Sequence, residues 1–318
     1  MAGTLPSQNI EQLIAQGAVR SVADIATGQI QPSSLDLTLS VEAYSMPGSL
    51  LPLKGERVRD LIERYSRFNV DLRNPTVLIR DNVYLVRLRE SFNLPAMIAA
   101  YANNKSSTGR IDLQTRVVCD GSPRYDKVPA GYEGDVWLEI ISKSFDVKVR
   151  NGDSLNQAIF YNGRDILDAA ALAKLSAEYS LLYSPDGEKL SAEQVGGQSI
   201  DEPGLLMTLD LDQDIVGYVS RKNYRPVDLA KINEHDAEAF FEPIPRPKDG
   251  SLFLSRDAFY IFSTYEYVAV PPDYAVEMLP YDTSAGEFRA HYAGFFDPGF
   301  GYGAEGEVKG TPAVLEVR

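Results

Sequence analysis

The second half of this chain echoes the first, block by block and in the same order, and this constrains the fold more than any single motif. Val77–Glu90 aligns with Phe253–Glu266: Leu78, Arg80, Asp81, Tyr84 and Glu90 meet Leu254, Arg256, Asp257, Tyr260 and Glu266, five identities in fourteen positions. Ser34-Leu35-Asp36-Leu37 meets Thr208-Leu209-Asp210-Leu211, and Ser106-Ser107-Thr108-Gly109 meets Thr283-Ser284-Ala285-Gly286. Gly131-Tyr132 meets Gly299-Phe300, and Trp137-Leu138-Glu139 meets Val314-Leu315-Glu316. Blocks kept in this order point to a tandem duplication. With 318 residues the chain is long enough for two domains, so each copy can bury a core of its own.

Strand signals dominate both copies. Leu35-Asp36-Leu37-Thr38-Leu39-Ser40 alternates strictly, and further strands are predicted over 77–79, 83–88, 109–119, 135–141, 146–149, 155–160 and from 205 onward, punctuated by Gly, Pro, Asn and Asp. A short helix is predicted over 57–68, and an Ala/Leu-rich one over 165–179. The pattern reads as two mainly β domains of barrel or sandwich type, copy one over 1–163 and copy two over 201–318, joined by a helical linker over 164–200.

Composition removes several function classes. A net charge of -14, from 45 acidic against 31 basic residues, disfavours a protein that wraps long nucleic acid. There is no run of 18 apolar residues for a membrane span, and no basic, apolar leader at the N-terminus, so the expected compartment is the cytoplasm. The single cysteine, Cys119, sits in an apolar strand and reads as a buried small residue. Two histidines, His235 and His291, and that one cysteine match neither the ligand pattern of a zinc deaminase nor that of a zinc hydrolase.

Two segments have the residue types for chemistry. Lys105-Ser106-Ser107-Thr108-Gly109-Arg110 combines two hydroxyls and two cations around a glycine. It is either a polar turn opening a strand or a place where hydroxyls and a bidentate guanidinium meet phosphate oxygens. The turns Pro129-Ala130-Gly131-Tyr132 and Asp297-Pro298-Gly299-Phe300 each lead to a strand with a Glu among apolar residues, Glu139 and Glu316. Each Glu is either solvated on an edge strand or buried, and a buried one has its pKa raised toward the range of a general acid/base.

Gln31-Pro32-Ser33-Ser34-Leu35-Asp36-Leu37, the Ser106-Ser107-x-x-Arg110 segment, the Gly-aromatic turn leading to a Leu-Glu strand, and Gly152-Asp153-Ser154-Leu155-Asn156-Gln157 together resemble dCTP deaminases of the dUTPase-like superfamily, in their tandem bacterial form. The resemblance implies dUTPase-like domains and conversion of dCTP to dUTP and ammonia without zinc, with Mg²⁺ carried by the triphosphate. It implies a Glu as proton shuttle, with Ser106 and Arg110 beside it. It implies nucleotide contacts from Lys105, Ser107, Gln157, Ala293, Asp297, Gly299 and Phe300, and sites shared between neighbours in a homo-oligomer.

The copies depart from that pattern in opposite ways. Copy one keeps Ser106, Ser107 and Arg110 but has Pro129 where the turn's Asp belongs; copy two keeps Asp297 and Glu316 but has Glu287 in place of the Arg. The expectation is complementary decay, with phosphate contacts from copy one, Glu316 from copy two, and Glu139 as the rival base. A dUTP diphosphatase or a bifunctional enzyme is the alternative, because Asp297 is kept; a non-catalytic nucleotide-binding or scaffold protein is the third reading.

Overall fold

The computed structural model describes residues 2–191, 204–278, 292 and 294–318. The chain divides into two compact units, Met1–Arg164 with Lys222–Ala239, and Asp165–Arg221 with Phe240–Arg318. Both are mainly β, as the alternation predicts.

In the first unit the strands run in the order Leu113–Cys119, Glu133–Ser142, Val83–Asn93, Leu35–Met46, Ser154–Asn162, Ala99–Asn104 and Lys127–Val128, with antiparallel neighbours. Leu35, Leu37 and Leu39 point inward with Val86, Leu88, Val117, Leu138 and Phe160, all at 1% exposure or less. The sheet curls until its Leu113 strand approaches its Ala99 strand. Asn104 joins them: its Nδ2 donates to the Leu113 carbonyl (2.7 Å), and its Oδ1 accepts from the Thr115 N–H (3.0 Å). A side-chain amide supplies both donor and acceptor, so it replaces a missing pair of ladder bonds.

The helix Val58–Tyr65 lies in the connection between Leu35–Met46 and Phe68–Asp71, and its Val58 and Ile62 pack with Met46, Val118 and Trp137. The expected strand over 109–119 starts later than predicted. Ser106–Gly109 instead forms a short helix, and the strand runs Leu113–Cys119. Cys119 is buried at 1% exposure, and burial pushes its thiol pKa up.

In the second unit Tyr260–Val268 has Thr311–Val317 along one edge, and Ile215–Ser220 and then Leu182–Tyr183 along the other, and Phe241–Pro245 adds to Ile215–Ser220. Helix Ala169–Glu178, N-capped by Asp168 through the Ala171 N–H (2.8 Å), and the Leu182–Tyr183/Lys189–Leu190 hairpin belong to this unit. The strand predicted from Leu205 is reduced to one bridge, Leu209 to Thr264. Among the described residues, no helix is long and apolar enough to cross a membrane.

The duplication is visible bond for bond. In copy one the buried Glu90 carboxylate accepts from the Thr38 N–H (2.8 Å) and hydroxyl (2.7 Å). In copy two Glu266 accepts from the Thr208 N–H (2.7 Å) and hydroxyl (2.7 Å). Asp81 and Asp257 both take left-handed backbone (φ 62° and 60°), and the Tyr84 and Tyr260 hydroxyls each accept from the N–H five residues earlier. The clamp also corrects the alignment of one block. Thr208 matches Thr38, not Ser34, so Leu206 stands where copy one has Asp36.

Candidate active site

The two glutamates occupy the same place in their sheets. Glu139 lies opposite Leu85, Glu316 lies opposite Ile261, and Leu85 and Ile261 are matched positions, each one residue beyond the matched tyrosine. Both are buried, at 5% and 4% exposure, which settles the choice between a solvated edge position and a buried acid. The turns before them match as well. Pro129 O accepts from the Tyr132 N–H (3.2 Å) and Asp297 O from the Phe300 N–H (3.1 Å). The carbonyls of Tyr132 and Phe300 then accept from Leu94 and Val270, at 2.9 and 2.8 Å. Gly299 and Gly301 take positive φ (86° and 62°), and a Cβ on Gly301 would collide with the Val268 carbonyl, so the turn requires glycine there. Phe300 packs against Phe296 at 4.7 Å between ring centroids.

What surrounds the copy-one glutamate is clear. Glu139 accepts from the Ser49 hydroxyl (2.9 Å) and the Tyr125 hydroxyl (3.1 Å), with the Leu50 N–H adding a third donor. Burial pushes the Glu139 pKa up, and these donors pull it back only in part. Tyr125 is pushed up to about 12 by burial and the neighbouring Glu139 carboxylate, so it stays a hydrogen-bond donor. Arg116 pairs opposite Glu139 in the sheet and holds Asp126 at 3.0 Å. Burial pushes Asp126 up to about 6, with Arg116 and the Val117 N–H pulling the other way.

The Ser106–Arg110 segment has a different character. Ser106, Ser107 and Arg110 are exposed on the short helix, while Thr108 and Gly109 are buried beneath it. Lys105 opens the helix and pairs with Asp36. Gln157 accepts from the Ser34 hydroxyl (2.9 Å) and donates to Asn103 Oδ1 (2.9 Å). None of the donors to Glu139 comes from this segment, so copy one's phosphate-type turn and its own glutamate are not joined. In copy two Asp297, Gly299, Phe300 and Glu316 are described; Ala293, Glu287 and the Thr283–Gly286 block lie outside the described residues. Among the described residues, no group of three His, Cys, Asp or Glu is placed to hold a metal ion.

Residues 1–164 match the family model for the 2'-deoxycytidine 5'-triphosphate deaminase N-terminal domain, and residues 169–318 match that for its C-terminal domain. The chain belongs to the dCTP deaminase family. The crystal structure of the 2'-deoxycytidine 5'-triphosphate deaminase from Agrobacterium tumefaciens is similar at 40% identity, with a TM-score of 0.89 over all of this chain and 92% of that one. A dCTP deaminase of Ignicoccus hospitalis is 24% identical over 156 residues, 49% of this chain and 81% of that protein. As a dCTP deaminase the chain is a hydrolase acting on a C–N bond.

Sequence reasoning missed Ser49 and Tyr125, the donors to Glu139, and the Arg116–Asp126 pair beside them. Hydroxyls in loops carry no spacing signal. Arg116 alternates with apolar residues as any outward strand position does.

Proposed function

We propose that this enzyme converts dCTP to dUTP and ammonia in a site where copy one of one chain holds the triphosphate and Glu316 of a neighbouring chain supplies the acid/base. The observation that carries the assignment is the different course of one connector. In copy one the connection from Leu35–Met46 to Phe68–Asp71 lies over its own barrel and brings Ser49 and Leu50 onto Glu139. In copy two the matching connection, Lys222–Ala239, is built into the first unit. Its Val227–Asp228 pairs in parallel with Val147–Val149, and Asp228 is held by Arg150 (2.7 Å) and Lys148 (3.4 Å). Glu139 is thus closed in by its own connector, whereas copy two's connector is committed elsewhere.

Copy one's exposed Ser106 and Ser107 hydroxyls and Arg110 guanidinium are suited to phosphate oxygens, and magnesium accompanies the triphosphate as part of the substrate. At Glu316 the carboxylate takes a proton from water, the hydroxide forms a bond to C4, and the same proton goes to N3. Glu316 then moves the remaining proton from the C4 hydroxyl to the exocyclic amine, ammonia leaves as the C4–N bond breaks, and the C4 oxygen becomes the uracil carbonyl. A split site of this kind calls for a homo-oligomer. A single buried cysteine fits a reducing compartment, and we place the enzyme in the cytoplasm.

Product analysis with dCTP and dUTP tests this reading. Ammonia from dCTP, with dUTP left intact, is the expected result. Pyrophosphate from dUTP would make the enzyme a diphosphatase, the activity that the retained Asp297 would serve. No product from either would leave only nucleotide binding.

A further inference from the structure

Asp36 is a buried carboxylate that the reaction does not use. It lies in Leu35–Met46, directly opposite Gln157, which lies opposite Asn103, so one polar row crosses three adjacent strands. The row lies on the face away from the core, since Leu35, Leu37 and Ala102 face inward. Asp36 is nevertheless buried, its side chain at 6% exposure, and it is ion-paired with Lys105, whose side chain is 27% exposed. A buried carboxylate of this kind requires a partner.

Lys105 is also fixed through its backbone. Its N–H donates to Leu155 O (3.2 Å), and its carbonyl accepts from Thr108 (3.0 Å) and Gly109 (3.1 Å), forming the turn that presents Ser106, Ser107 and Arg110. An ammonium has three donors, so pairing with Asp36 still leaves two for phosphate oxygens. Copy two supports the connection from the opposite side. Where its sequence has lost the arginine to Glu287, it has also lost the carboxylate, with Leu206 in place of Asp36.

We infer that Asp36 is a positioning residue for the triphosphate, holding Lys105 and through it the Ser106–Arg110 turn. This rests on the reading that the turn binds phosphate. An acid near a triphosphate repels it, so if charge alone mattered, Asp36→Asn would lower the KM for dCTP. If Asp36 positions Lys105, the same change raises KM about tenfold while kcat stays within about twofold.

The experiment is steady-state deamination of dCTP by the full chain, with thermal melts, for D36N, K105M, D36N/K105M and R110A. The expected result is a raised KM in D36N that disappears as a separate effect in the K105M background, because Asp36 acts through Lys105. Should D36N melt below the assay temperature, Asp36→Leu, the residue found in copy two, carries the same expectation and places no polar group of its own in the buried position. A lowered melting temperature with KM unchanged would overturn the proposal and leave Asp36 a structural residue, as would a lowered KM. Unchanged KM and kcat in R110A would instead overturn the phosphate reading itself. A raised KM in R110A with none in D36N would overturn only the role of Asp36.

Discussion

Copy one and copy two share a frame and differ in what is laid over it. The clamps Thr38–Glu90 and Thr208–Glu266 agree to within 0.1 Å in both bonds, at 2.8 and 2.7 Å against 2.7 and 2.7 Å. The turns before the glutamates use the same bonds, and the glutamates face matched residues. The connections between matched strands diverge. Copy one's contains the helix Val58–Tyr65 and delivers Ser49 to Glu139, whereas copy two's supplies Val227–Asp228 to the first unit. The lesson is that buried hydrogen-bonded strands resist change because every altered partner leaves an unsatisfied group, while a surface connector can be redirected without disturbing the strands beneath it.

The largest effect is expected at Glu316. Glu316→Gln keeps shape and hydrogen bonding but cannot move a proton, so kcat should fall about 10²–10⁴-fold with little change in dCTP binding. Equal loss of binding would mean that Glu316 holds the nucleotide and does not act as the acid/base. Next comes Arg110→Ala, which should weaken dCTP binding by about 1.5–3 kcal/mol in a titration with Mg²⁺ present. Unchanged affinity would reduce the Ser106–Arg110 segment to a turn.

Asp126 sharpens the comparison from the side of the covered glutamate. Its pKa is raised from 3.8 to about 6, so the folded state holds a proton that the unfolded state has released. The stabilisation this gives is full below about pH 4 and is lost as the pH rises through about 6. Asp126→Asn should remove that slope, a difference on the order of 3 kcal/mol between the two pH limits. Superposable stability curves for D126N and the unaltered protein from pH 4 to 7 would refute the shift. The smallest difference is expected between the clamps. Thr38→Val and Thr208→Val should each cost about 1–2 kcal/mol in denaturant unfolding, and by amounts within about 0.5 kcal/mol of each other. A cost in one copy alone would show that the shared frame is no longer shared in energy.

Much of this was legible because burial imposes a period on the sequence. Glu139 and Glu316 could be matched from Leu-Glu alternation, and the Tyr84–Glu90 stretch from spacing alone. Matching Ser34–Leu37 to Thr208–Leu211 is four residues off because Leu-Asp-Leu occurs at both 35–37 and 209–211, and a strand with period two looks alike after an even slip. Only the clamp, a contact between strands, fixes Thr38 on Thr208. The destination of Lys222–Ala239 had no local signal, since a two-residue parallel pairing with Val147–Val149 depends on a partner 80 residues away in sequence (227 against 147). The pairing of Lys105 with Asp36 was hidden for the same reason: the sequence shows two charges, and only the sheet register brings them together.

The central claim is that two carboxylates matched in place have parted in use. Turnover of Glu139→Gln tests it most directly, measured as ammonia released from saturating dCTP by the full chain. The account predicts a kcat within about threefold of the unaltered enzyme, because Glu139 is closed in by Ser49, Leu50 and Tyr125 and takes no part in proton transfer. A loss of about a hundredfold or more in a folded E139Q protein would place the reaction in copy one and contradict the division of labour between the copies.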